Sequence, residues 1–139
     1  MSIKTSFNHL GLHVSDSKRS FPFYKDLLIF LGYHIVHEKK NHLGMRNGPT
    51  DVWLQETPEK HKTQKYHRKN TGLTHICFGV KSRELVDTFY REFLQPRAIP
   101  TLYASPKAFP EYTPEYYAVY FEDPDRIKIE VAFVSSEGS

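Results

Sequence analysis

Asn8-His9-Leu10-Gly11-Leu12-His13-Val14 and Thr74-His75-Ile76-Cys77-Phe78-Gly79-Val80 share one pattern. In each, a His opens an alternation of apolar and polar or small residues. A Phe-Tyr pair, Phe23-Tyr24 or Phe89-Tyr90, follows the closing Val nine residues on. Each His precedes its Tyr by 15 residues. Such self-similarity means one supersecondary unit used twice, which restricts the chain to folds built by duplication.

The alternation predicts strands over 7–14 and 72–80. Leu10, Leu12 and Val14 lie on one face, with His9, Gly11 and His13 on the other. Ile76, Phe78 and Val80 repeat the apolar face opposite His75, Cys77 and Gly79. Ser15-Asp16-Ser17 and Ser82 are N-cap residues for the helices that follow, and Gly32 is a stop signal for the first. Three strands are expected after the first helix, at 33–38, 42–46 and 50–56, with Asn47-Gly48-Pro49 as a turn. After the second helix, strands are expected near 98–103, 116–122 and 127–134, and Ala104–Glu115 reads as an insertion rich in Pro and Tyr. The order is βαβββ twice, an α+β fold with helices on the outer face of a curved, cup-shaped mixed sheet. At 139 residues the chain is expected to be a single domain of two such repeats, about 5–56 and 72–134, joined by a polar linker over 57–71.

A quarter of the residues are charged and the net charge is +3, too small to suggest nucleic acid as a partner. Five basic residues between Lys60 and Lys69 read as a solvated connector. Cys77 is the single cysteine, so an intrachain disulfide is excluded and a cytoplasmic location is expected. No stretch reads as a signal peptide or a membrane span.

The last strand of the second half, Ile127-Lys128-Ile129-Glu130-Val131-Ala132-Phe133, puts Lys128, Glu130 and Ala132 on the same face as the histidines. Val52-Trp53-Leu54 matches Ile129-Glu130-Val131, so Trp53 stands where the repeat would place a partner for Glu130, and Gln55 lies one step further on that face. Two imidazoles and a carboxylate on one sheet face are the ingredients of a divalent metal site. His13, on the face of His9, is a candidate proton carrier. Trp53 is a candidate pocket wall, and the Pro-bracketed segment from Pro106 to Pro114, which holds Tyr112, a candidate lid or contact arm.

The pattern His-Leu-Gly-Leu-His-Val, the second His in Gly-Leu-Thr-His-Ile, and the closing Phe-Glu-Asp-Pro-Asp-Arg-Ile-Lys-Ile-Glu-Val resemble the vicinal oxygen chelate superfamily. That superfamily includes glyoxalase I, bleomycin-resistance proteins and extradiol dioxygenases. The resemblance covers residues 7–134. It implies His9, His75 and Glu130 as metal ligands, with the family's second ligand position falling on Trp53, whose indole nitrogen can only donate. Either Gln55 takes that place or three ligands remain. The implied function is a divalent-metal-dependent enzyme of lyase, isomerase or oxygenase type, with Zn, Ni, Fe, Mn and Mg not distinguished. Glu130 and His13 would be catalytic, and Trp53, Gln55, Tyr112 and Tyr117 substrate contacts. The alternatives are a metal-free binder of the bleomycin-resistance type and, more remotely, an extradiol ring-cleaving dioxygenase. A small-molecule substrate and a homodimer are the expected partners, with no nucleic acid and no membrane.

Overall fold

A computed structural model describes residues 1–135. The chain divides into two compact units, Met1–Lys65 and Tyr66–Ser139. Each unit has the expected βαβββ order and each builds one open, four-stranded mixed sheet.

In the first unit the strands are β1 (His9–Val14), β2 (His34–Lys39), β3 (His42–Asn47) and β4 (Thr50–Glu56), in the spatial order β1-β4-β3-β2. β1 and β4 are parallel; the other pairs are antiparallel. Helix α1 (Ser17–Phe30) begins at Asp16, whose side chain accepts from the Lys18 N–H, and the Glu56 carboxylate accepts from the Ser17 N–H at 2.8 Å. Both acids meet the positive end of the helix. Gly32, at φ +94°, ends it, and the Tyr33 N–H returns to the Leu28 carbonyl. Tyr24, Leu27 and Leu28 are buried at helical spacing, and α1 packs on β2, β3 and β4. Leu43, Met45, Val52 and Leu54 complete that core.

The second unit repeats the order as β5-β8-β7-β6. Its strands are β5 (Ile76–Gly79), β6 (Thr101–Ala108), β7 (Tyr117–Glu122) and β8 (Lys128–Phe133). Ser82 caps helix α2 (Arg83–Phe89) through the Leu85 N–H, and a π-helical turn, Tyr90–Leu94, continues it. Val86, Phe89, Phe93, Phe121, Ile129 and Val131 form the core beneath α2. The expected connector holds only a short 3-10 turn, Glu59–His61.

One expectation is corrected here. The sixth strand does not stop at 103: β6 runs on through much of the segment read as an insertion. Its pairing with β7 shifts register between Leu102 and Lys107, so the extra residues are absorbed as a bulge. Tyr103 and Ala104, within that bulge, have φ of +62° and +54°.

Candidate functional site

Ladder register in the second sheet decides which side chains meet. Glu130 lies opposite Cys77 of β5 on one side and opposite Tyr120 of β7 on the other. Side chains alternate along a strand, so Ile129 and Val131 turn toward α2 while Glu130 and Ala132 turn away from it. That second face carries a cavity of about 590 Å³ lined by His75, Tyr103, Phe109, Tyr112, Tyr116, Tyr120, Lys128 and Glu130. Tyr120 is its hub. Tyr103 and Phe109 each meet Tyr120 edge-on, with centroids 5.3 and 5.4 Å away, and Tyr112 stacks on Phe109 at 5.7 Å.

Glu130, at the floor, has no exposed surface. A carboxylate there is costly unless its oxygens are paired. The Tyr116 hydroxyl donates to Oε2 at 2.5 Å. Oε1 is buried and receives no hydrogen bond, yet His75 Nε2 lies 3.2 Å from it. The other ring nitrogen of His75, Nδ1, is 2.9 Å from Thr74 Oγ1. When Nδ1–H donates to Thr74, the Nε2 lone pair faces the lone pairs of Oε1, an arrangement that needs a positive centre in the gap. A proton on Nε2 supplies one, and a cation supplies one equally well. Two donors bound to one cation at about 2.0–2.2 Å lie roughly 3 Å apart, so the pair fits as two ligands of one metal.

Burial, and then Glu130, through its hydrogen bond with Tyr116 and its charge beside Tyr120, push both phenols well above the ordinary tyrosine range. Both therefore stay protonated, and Tyr116 spends its proton on Glu130. The same two causes push the Cys77 thiol up to about 12, which removes it as a nucleophile.

The first unit handles the equivalent positions differently. Trp53 lies opposite Gly11 as Glu130 lies opposite Cys77, so the repeat correspondence read from sequence holds in the ladders. The Trp53 indole covers Gly44 and is flanked by His37 and His42, each with its centroid 5.7 Å away. His9 is exposed, and its Nδ1 is 2.7 Å from Asn8 Oδ1. An amide oxygen only accepts, so this contact calls for a proton on Nδ1 and, in a neutral ring, turns the lone pair to Nε2, the tautomer a metal ligand needs. Asp51, opposite His9 in the ladder, is committed elsewhere. Arg46 holds its two oxygens at 2.8 and 3.0 Å and keeps its carboxyl below the usual range. His13 and Gln55 are exposed and face each other across β1 and β4.

Of the residues singled out from sequence, the cavity of the second unit thus gathers His75, Glu130 and Tyr112. His9, His13, Trp53 and Gln55 lie in the first unit. Tyr117 lies on the helix face of its sheet: its hydroxyl donates to Asp87 at 2.6 Å, and Arg83 sits 5.3 Å from its ring centre. Sequence reasoning gave no site role to Tyr103, Tyr116, Tyr120 or Lys128. Period-2 counting into β7 puts Tyr116 and Tyr120 on one face and Tyr117 on the other. Among the described residues, no group of three or more His, Cys, Asp or Glu is gathered so as to hold a metal ion.

Comparison with known proteins follows the same lines. A candidate glyoxalase from Bacillus halodurans is 34% identical in sequence, with 92% of this chain and 95% of that one covered at a TM-score of 0.83. The uncharacterized protein YqjT of Bacillus subtilis is 31% identical over 124 residues, 89% of this chain and 95% of its own length. Lactoylglutathione lyase from Agrobacterium tumefaciens shares the fold at a TM-score of 0.70 with 18% identity, over 99% of this chain and 100% of that one. The family profile of the Glyoxalase/Bleomycin resistance protein/Dioxygenase superfamily matches residues 6–131, and the chain belongs to that superfamily.

Proposed function

We propose that the protein is a divalent-metal-dependent enzyme of the lyase, isomerase or oxygenase type, acting on a small organic substrate in the aromatic cavity of the second unit. One observation carries this reading: a buried carboxylate oxygen without a hydrogen-bond donor, Glu130 Oε1, faces His75 Nε2 at 3.2 Å. His75 and Glu130 would hold the metal. Bound there, a divalent metal supplies Lewis acidity toward substrate oxygens.

The chain's own residues do the rest. Thr74 and Asn8 fix the ring orientation of His75 and His9 from behind. Tyr116 fixes Glu130 through Oε2 and so turns Oε1 toward the ligand position, with Glu130 retained as the base that the resemblance implies. Tyr120 stays protonated beside it and is available to donate to a developing oxyanion. The rings of Phe109 and Tyr112 exclude water from the apolar part of the substrate. His13 is retained as a proposed proton carrier, a homodimer as the assembly and the cytoplasm as the compartment.

Metal analysis of protein purified without chelator tests this. Near-stoichiometric metal is expected in the wild type, with its loss in His75→Ala and Glu130→Ala. Full occupancy that survives His75→Ala overturns the ligand set. The second reading, a metal-free binder, is favoured by one observation: Trp53 takes the place of a ligand and packs as a flat wall over Gly44. It predicts a small molecule retained at full affinity after exhaustive chelation.

A further inference from the structure

Lys128 is the basic group in the cavity whose charge nothing balances. It projects from β8 into the face that carries Glu130. Its ammonium is 3.2 Å from the Tyr103 hydroxyl, and no carboxylate of the described residues pairs with it. The cross-strand neighbour that would ordinarily do so is Glu122. That carboxylate is already committed: Arg68 binds its Oε2 at 2.6 Å and Arg126 approaches at 3.3 Å. Glu130 is no substitute, because its oxygens are turned to Tyr116 and His75.

The aromatic faces tell the same story. A ring-lined cavity with a buried carboxylate ordinarily suits a cationic guest. Here the cation position is filled from within, since Lys128 Nζ lies 5.3 Å from the Tyr103 ring centre and 5.5 Å from that of Tyr120. Tyr103 reaches this position from a backbone at φ +62°, with Ala104 next to it at +54°. Ser105 pins the bulge, donating to the Leu102 carbonyl at 2.7 Å and accepting from the Tyr120 N–H at 2.9 Å. Side chains other than Gly adopt that backbone region at a cost, and such residues concentrate where a site must be shaped.

We infer that the cavity takes a planar organic anion, with its oxyanion on Lys128 and Tyr103 and its flat body against Phe109 and Tyr112. This deepens the proposed function by naming its substrate class, and it rests on that cavity being the substrate site. The shared chemistry is an oxyanion on a flat apolar body; whether carboxylate or phosphate is the better match is left to the probes.

The test is an NMR titration of the full chain with benzoate, phenyl phosphate, benzamide and benzyltrimethylammonium, with metal content measured in parallel. Benzoate or phenyl phosphate should bind at least about tenfold more tightly than neutral benzamide, as a charge-assisted contact implies. The tighter of the two identifies the oxyanion. Lys128→Met should bring the anions down to the benzamide level while leaving benzamide unchanged. Equal affinities, a preference for the quaternary ammonium, no binding at millimolar concentrations, or an anion preference that survives Lys128→Met overturns the inference. The metal reading fails separately: metal absent while the anion preference persists removes the ligand assignment and leaves the substrate class standing.

Discussion

At the scale of single residues, Glu130 is the most deeply buried charged side chain among the described residues. It is a carboxylate with no exposed surface, held by one tyrosine hydroxyl and facing one imidazole. Replacing it with an apolar residue would relieve the cost of burial, so its presence has to be explained by what it binds. The residues before the two repeated histidines belong to the same explanation, because Asn8 and Thr74 both engage Nδ1 and leave Nε2 as the working nitrogen. Thr74→Val keeps the shape and removes that contact. Metal affinity should fall by about 10- to 100-fold, the usual effect of losing such an outer partner, as read by competition against a chromophoric chelator. The nitrogen-15 shifts of His75 should also show a mixture of tautomers. Unchanged affinity would mean that Thr74 merely caps a surface ring. His9 and His75 stand out in the sequence because each opens a copy of the repeat, and Glu130 because period-2 counting puts it on the face of His75. Tyr116 and Lys128 were harder to assign, since Tyr is an ordinary strand residue and Lys an ordinary surface one.

At the scale of elements, the helices and most strands follow from local rules. Asp16 and Ser82 cap, Gly32 stops, and Asn47-Gly48 turns. The β6 bulge does not follow from them. Left-handed backbone is usually announced by Gly or Asn, and Tyr103-Ala104 announces nothing, so the strand was read as ending where it bends. Each of these two residues stores about 1 kcal/mol or more, offset by the Ser105 bonds and the packing of Tyr103 on Tyr120. Between β3 and β4 a different fit applies. Gly44 is buried, and a methyl group there would run into the Trp53 ring. Gly44→Ala should destabilise the first unit by about 1–3 kcal/mol, as overpacking does, measured by urea unfolding. Adding Trp53→Leu should recover most of that loss. If Gly44→Ala alone is neutral, Trp53 is not packed as described.

At the scale of the whole chain, duplication was the most legible property, because two copies of one hydrophobic rhythm leave little freedom in how the strands are ordered. Both sheets have the same order and the same parallel pair. What duplication conceals is divergence. Equivalent ladder positions hold Trp53 in one unit and Glu130 in the other, so one scaffold carries a flat apolar wall and a buried acid. Which of these a substrate meets depends on chemistry no repeat can encode, and that is why the superfamily was readable while its reaction was not. The gap between His75 Nε2 and Glu130 Oε1 is where the functional reading is decided. An anomalous-scattering map from crystals of protein purified without chelator examines it directly. An ion at ligand distance from both atoms, about 2.0–2.2 Å, is the predicted result. An imidazole donating its proton straight to the carboxylate, with no ion between them, would contradict it.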